Sequence, residues 1–157
     1  MGLAQFADWL DQTPFSTMLK TEFWIVPTLQ SIHILSVCLV FTGAVVVCLR
    51  AWRVMGTDWT PQLWARRLYP TQWWALLALV ATGTLQVLAE PPRELTNFYF
   101  QTKMVGVLLA ALLALWLSRR FYREEADSTP AILKAASLLL MLLWGAIMFA
   151  GRWIAYA

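Results

Sequence analysis

The sequence contains few charged residues, few cysteines and few glycines, and each scarcity excludes a class of protein. Asp, Glu, Lys and Arg make up 13% of the 157 residues, about half the share found in an ordinary soluble domain. Two cysteines and seven glycines supply neither a disulfide scaffold nor a collagen-like repeat. Hydrophobic residues, at 60%, are too abundant for a disordered chain.

The excess of apolar residues indicates that lipid is the solvent of this chain. With a mean hydropathy of +0.60, a soluble monomer of this size would expose large apolar patches, which such proteins avoid. The net charge of +3 comes from basic residues dispersed between apolar runs, whereas a nucleic-acid interface gathers them on one face. We therefore predict a lipid bilayer as the partner of the chain, and no nucleic acid.

Four apolar runs are long enough to cross a bilayer as α-helices, which need about 20 residues each. The third run carries Lys103 and the fourth carries Arg152. The runs are continuously apolar rather than alternating, which indicates helices and not barrel strands. The prediction is an all-α integral membrane four-helix bundle, a single transmembrane domain over residues 1–157, with spans at about 23–49, 68–89, 95–118 and 130–156.

The first 22 residues predict a short helix in the membrane interface. Leu3, Phe6, Trp9 and Leu10 recur at helical spacing among acidic residues, which is typical of an interfacial amphipathic helix. A threonine followed by a proline is a helix-start signal, and it occurs at residues 13–14, 60–61 and 129–130. We expect the second of these pairs to open a small helix along the inner membrane surface.

Lysines and arginines are concentrated in two of the loops. Four lie between the first and second spans, at residues 50–67, and four follow the third span, at residues 119–134. One lies before the first span and one lies in the 90–97 loop. Because basic loops stay in the cytoplasm, we expect a bacterial inner-membrane protein with both termini on the periplasmic side.

Ionisable and amide groups of several helices are predicted to meet in the outer half of the bundle. At 1.5 Å per residue, His33 lies about 14 Å below Trp24, and Lys103 enters the third span from the same side. The second and fourth helices return to this depth with Thr82, Thr84, Gln86 and Arg152. Polar groups inside a bilayer are functional candidates by default, so His33, Lys103, Arg152 and Gln86 are the predicted ligand-binding residues.

His33, the one histidine of the chain, has two interpretations. A neutral imidazole could donate to a backbone carbonyl, to Ser36 or to Gln30, or it could ligate a haem iron whose propionates meet Arg152 and Lys103. A second axial ligand would then be Lys103, a methionine, water or a residue of another chain. Lys103 could instead extend toward the headgroups near Tyr99.

The remaining polar and sulfur-bearing residues leave further alternatives. Arg152 could cap the fourth helix or pair with Glu90 or Glu94. Cys38 and Cys48 are ten residues apart on one helix, about 15 Å by rise, which is too far for a disulfide, and we expect both to be buried. Met141 and Met148 share a helix face, which is typical of packing but is compatible with copper.

Small residues follow one face of the third helix. Gly106, Ala110 and Ala114 recur at every fourth position, a spacing that lets a second helix approach closely. The second helix could belong to the same bundle or to a partner chain. The sequence is therefore compatible with a homo-oligomer or with a subunit of a larger membrane complex.

Four segments resemble an uncharacterised family of small bacterial inner-membrane proteins: FWIVP (23–27), SIHIL (31–35), NFYFQTK (97–103) and GRWIAY (151–156). A more distant similarity, at His33, Gly43 and Lys103, is to the HemJ-type protoporphyrinogen oxidases and the CopD-type copper proteins. In the HemJ-type enzymes the corresponding His and Lys are implicated in binding haem b. This resemblance implies haem b held by His33 and Lys103 in a redox or electron-transfer protein, with copper handling or a structural, non-catalytic role as alternatives.

The distribution of basic residues predicts the membrane orientation. Single-cysteine reporters placed near Asp58 and Asp127 should be protected from a membrane-impermeant thiol reagent that is added outside the cell, because both positions lie in basic loops. The extent of labelling before and after permeabilisation measures this. Strong labelling of both reporters in intact cells would invert the orientation.

Overall fold

The computed structural model describes residues 2–123 and 129–153. The reporter position at residue 127 and the end of the fourth predicted span, at residue 156, lie outside these residues. In the described part the chain forms helices and no strand, so the predicted all-α fold is confirmed. The helices are α1 (Leu3–Asp11), α2 (Pro14–Thr21), α3 (Ile25–Ala51), α4 (Pro61–Ala89), α5 (Pro91–Leu95), α6 (Phe98–Phe121) and α7 (Ala131–Trp153).

The four long helices, α3, α4, α6 and α7, are each long and apolar enough to cross a membrane. α3 packs against α4 and α7, α6 packs against α7, and α4 meets α6 over a short stretch. The helices therefore lie in the order α3, α4, α6, α7 around the bundle, and each runs antiparallel to its neighbours. This arrangement is that of a multi-pass membrane protein.

The start of α4 differs from the prediction. Thr60 does accept a hydrogen bond from the backbone N–H of Leu63, at 3.3 Å, and Pro61 is the first helical residue. The helix that begins there continues without a break to Ala89, so the prediction of a separate small helix is wrong. The apolar run in the sequence covers only the part of α4 that can lie in lipid. The charged residues before this run belong to the first turns of the same helix. Arg67 in these turns lies 4.3 Å from the ring centroid of Trp59.

Two helices, rather than one, occupy the N-terminal segment. Thr13 accepts a hydrogen bond from the backbone N–H of Ser16 and begins α2, and Lys20 forms an ion pair with Asp11 at 2.6 Å. α1 packs against α5, and α2 packs against α4, so both lie at the end of the bundle where α5 lies. The third predicted cap is not formed, because the buried hydroxyl of Thr129 has no hydrogen-bond partner among the described residues.

The buried core lies in the half of the bundle away from α5. All four long helices contribute to it, with Val40, Ala44, Val47, Tyr69, Leu79, Ala110, Leu117, Leu140 and Trp144. The small-residue face of α6 belongs to this packing: Ala110 is fully buried, and a Cβ on Gly106 would lie 3.0 Å from Cγ1 of Ile147 in α7. Of the two predicted partners of this face, the structure shows a helix of the same bundle.

Gly43 leaves room on α3 for a side chain of α4. The amide of the Gln72 side chain lies over Gly43, where a Cβ would overlap it. From this position Gln72 Nε2 donates to the backbone carbonyl of Leu39 at 3.1 Å. Within a membrane, hydrogen bonds and close packing hold helices together, because lipid removes the hydrophobic drive for their association.

The substitution Gly43→Ala should destabilise the bundle by about 1 kcal/mol relative to Gly145→Ala, because the added methyl displaces the amide of Gln72 from its hydrogen bond to Leu39. Gly145→Ala in α7 is the matched control, since nothing lies within 4 Å of its Cβ position and both variants gain the same helix propensity. The midpoint of unfolding in mixed detergent micelles measures the difference. Equal midpoints for the two variants would contradict the assigned contact.

Candidate functional site

A cavity of about 430 Å³ lies between the long helices, in the half of the bundle beside α5. Its size falls within the range of small-molecule sites. All four residues predicted to bind a ligand line it: His33 from α3, Gln86 from α4, Lys103 from α6 and Arg152 from α7. These residues are far apart in the chain, and the sequence placed them at one depth in the membrane. The structure brings them to one cavity.

His33 is held by a hydrogen bond across the interface between α3 and α4. Its Nδ1 lies 2.9 Å from Oγ1 of Thr82. Ser36, one of the predicted partners, instead donates to the backbone carbonyl of Ile32 in its own helix. Thr82 is buried, and His33 is partly buried. Thr82, which lies 49 positions away in the sequence, thus orients the imidazole ring of His33.

The geometry around Thr82 assigns the proton of this hydrogen bond. The hydroxyl of Thr82 has one proton, which it donates to the carbonyl of Ala78 at 2.7 Å, with the carbonyl of Leu79 at 3.2 Å. We assign the ring proton to Nδ1, the tautomer in which the oxygen of Thr82 accepts from His33. In the neutral imidazole this leaves the lone pair on Nε2. A metal ligand needs such a lone pair, and the hydrogen bond at the other ring nitrogen is the usual support for one.

Two glycines lie beside side chains of the cavity, and the contact at Gly83 is the tighter of the two. A Cβ on Gly83 would lie 3.2 Å from Cε1 of His33, and a Cβ on Gly151 would lie 3.6 Å from Nζ of Lys103. Gly83 was not singled out from the sequence, since a lone glycine in a membrane helix has many uses. Gln86 also bridges α4 to α3, with Nε2 3.5 Å from the carbonyl of Leu29.

The polar layer is narrower than predicted. Thr82 contacts His33, but Thr84 is exposed and donates to the carbonyl of Val80 in its own helix, at 2.9 Å. Two residues along a helix correspond to about 200° of rotation, so Thr82 and Thr84 face opposite sides. The prediction from depth alone could not separate them.

Charged residues of α5 and its flanks form one rim of the cavity. Glu90 pairs with Arg93 at 2.7 Å, so that one of the two acids proposed as partners for Arg152 has a different partner. Burial raises the pKa of the Glu94 carboxyl, and the positive charges of Lys103 and Arg93 offset part of this rise. Lys103 is partly buried, and Arg152 is exposed in the last turn of α7.

Two sulfur-bearing residues also line the cavity. Cys38 and Met148 belong to its wall, and Cys38 is exposed, whereas Cys48 is buried. The prediction that both cysteines are buried is therefore wrong for Cys38, because the cavity opens beside this face of α3. Among the described residues, no group of three His, Cys, Asp or Glu side chains could hold a metal ion.

Residues 6–157 match the profile of a family of unknown function, DUF6644. The chain belongs to this family. No curated protein and no solved structure matches it. The uncharacterised family expected from the four sequence segments is thus confirmed, whereas the similarity to the HemJ-type and CopD-type proteins stays a prediction. The DUF6644 description names no activity, so we infer a function from the residues that line the cavity.

Proposed function

We propose that this DUF6644 protein binds haem b in the outer-half cavity, with His33 Nε2 as an axial ligand, and serves a redox or electron-transfer role. The observation that supports the proposal is the hydrogen bond between His33 and Thr82. With the ring proton assigned to Nδ1, Nε2 keeps a lone pair in a membrane cavity of about 430 Å³. Imidazole is the commonest protein ligand of haem iron.

The other residues of the cavity fit the rest of the group. Lys103 and Arg152 supply cations for the two carboxylates of haem, and Ile34, Val37 and Ile147 supply apolar contacts for a porphyrin ring. When bound, haem iron would supply one-electron chemistry. Thr82 orients the imidazole and supports its basicity, and the α5 rim limits access of water from the outer end.

The proposed setting is the inner membrane of a bacterium, with α5 and both termini on the periplasmic side. The basic ends of the helices, at residues 50–67 and 119–134, would then face the cytoplasm. In this orientation the cavity lies in the periplasmic half of the membrane. Electron exchange would take place there, with a partner subunit or with a second copy of the chain.

Copper handling is the second candidate function, and one observation favours it. His33, Cys38 and Met148 line the same cavity, and imidazole, thiolate and thioether are ligands that copper(I) accepts. Metal analysis of the purified protein, together with its visible spectrum, separates the two functions. Stoichiometric copper that is lost in Cys38→Ala and Met148→Leu, without a Soret band, would favour copper.

His33→Ala should abolish the haem spectrum, because the chain has no second histidine to replace the ligand. Thr82→Val removes only the support of the ring and should weaken haem binding by about 10- to 100-fold. Thr84→Val is the matched control, since Thr84 is exposed and bonds only within its own helix. The Soret absorbance per mole of protein, measured during haem titration, reports all three variants. An unchanged Soret band in folded His33→Ala would end the ligand assignment.

Substitution of Lys103 distinguishes a ligand from a partner of the propionates. Lys103→Arg keeps the charge but cannot readily give a neutral nitrogen to iron, whereas Lys103→Met removes the charge and offers a thioether. Propionate pairing predicts a nearly silent Arg variant and a Met variant of lower haem affinity. Ligation predicts the reverse: a high-spin or haem-poor Arg variant and a low-spin Met variant. The spin state is read from the visible spectrum.

A further inference from the structure

The cavity opens sideways through a groove between α3 and α7. Gln30, Ile34 and Cys38 follow one another at four-residue intervals on α3, and Met148 and Arg152 do so on α7. All five line the cavity and are exposed, Ile34 at 61%. We call these five residues the α3–α7 groove. Its walls belong to the cavity and to the surface of the bundle at the same time.

The depth of the groove places lipid outside it. Ile34 and Cys38 lie about 14 and 20 Å along α3 from its first residue, at 1.5 Å per residue. α3 is 27 residues long, or about 40 Å, and the hydrocarbon layer is about 30 Å thick. The middle of the groove, at Ile34, Cys38 and Met148, therefore faces acyl chains. Its end, at Gln30 and Arg152, lies toward the headgroups.

The charges at the outer end of the cavity favour an anion. Arg93, Lys103 and Arg152 line this end with Glu90 and Glu94. The Arg93 guanidinium and the Glu90 carboxylate neutralise each other at 2.7 Å. Lys103 then faces the carboxyl of Glu94, and burial favours the neutral form of that carboxyl. The polar end of the cavity thus presents the ammonium of Lys103 above an apolar groove.

We propose that the α3–α7 groove binds a membrane-borne amphipathic anion, with its carboxylate near Lys103 and its apolar body against Ile34, Cys38 and Met148. The proposal rests on the proposed function in that it concerns the same cavity. Haem b, a hydrophobic dicarboxylate, belongs to this ligand class. The ligand enters from the bilayer, between α3 and α7, and not from the aqueous phase.

Stearate with a nitroxide on its chain is a suitable probe, and its methyl ester is the uncharged control. The full-length protein is reconstituted in phosphatidylcholine vesicles, and the immobilised fraction of each probe is read from its electron paramagnetic resonance spectrum. We expect about fivefold preference for the stearate over the ester, the effect of one basic residue near a membrane surface. Unlabelled stearate should release the probe, and methyl stearate should not. Equal immobilisation of the two probes would overturn the proposal.

A matched pair of variants locates the site. Ile34 in the groove and Leu35 beside it are similarly exposed, at 61% and 65%, but Leu35 does not line the cavity. Ile34→Trp should remove the preference for stearate, and Leu35→Trp should keep it. Lys103→Gln should also remove the preference, whereas Lys134→Gln, at the other end of the bundle, should not. Equal effects of the two tryptophan variants would place the bound stearate elsewhere and contradict the proposal.

The test separates this inference from haem binding when it is run in wild-type protein and in His33→Ala. The groove does not need the imidazole, so His33→Ala should keep the preference for stearate. A Soret band in the wild type, with no preference in His33→Ala, overturns the groove and leaves the haem proposal standing. A preference in both proteins without a Soret band supports the groove and contradicts haem.

Discussion

The hydrogen bond between His33 and Thr82 determines what the cavity can do. It joins the two helices with the most extensive interface in the bundle, and it uses the one imidazole of the chain. The hydroxyl of Thr82 also lies 2.7 Å from the carbonyl of Ala78, and donation to that carbonyl assigns the proton of the bond to His33. A ring held in this way is oriented before any ligand arrives, which reduces the entropy that binding must overcome.

Three side chains join α3 to α4 over about half of the membrane depth. Gln86 reaches the carbonyl of Leu29, His33 bonds Thr82, and Gln72 reaches the carbonyl of Leu39. The order of these bonds follows the antiparallel register of the two helices. They stabilise an interface for which lipid provides no hydrophobic drive. The cavity lies on the side of α3 toward α7, where the two helices pack less extensively than α3 and α4 do.

The sequence could predict the depth of the site residues in the membrane. A rise of 1.5 Å per residue places His33, Gln86, Lys103 and Arg152 in one layer, and the structure brings all four to one cavity. The same arithmetic cannot tell which way a residue faces, because the rotation of each helix is set by its neighbours. For this reason Thr84 was grouped with Thr82, although it faces outward.

Packing decided the remaining features. Cys38 resembles Cys48 as a small apolar residue in a membrane helix, and only the cavity beside it leaves Cys38 exposed. The apolar runs likewise predicted four spans, but the length of α4 and the break between α1 and α2 depend on proline and threonine caps in their tertiary setting. A helix can extend beyond the lipid, so hydropathy alone underestimates it.

The tautomer of His33 tests most directly whether its Nε2 can bind iron. Since the chain has one histidine, protein labelled with ¹⁵N at histidine gives one pair of ring signals in solid-state nuclear magnetic resonance of reconstituted bilayers. We expect a protonated Nδ1, directly coupled to its hydrogen, and an Nε2 that is unprotonated or whose signal is shifted by iron. Thr82→Val should release this preference. A protonated Nε2 with a bare Nδ1 in the wild-type protein would contradict the assigned donor, and with it His33 as a ligand through Nε2.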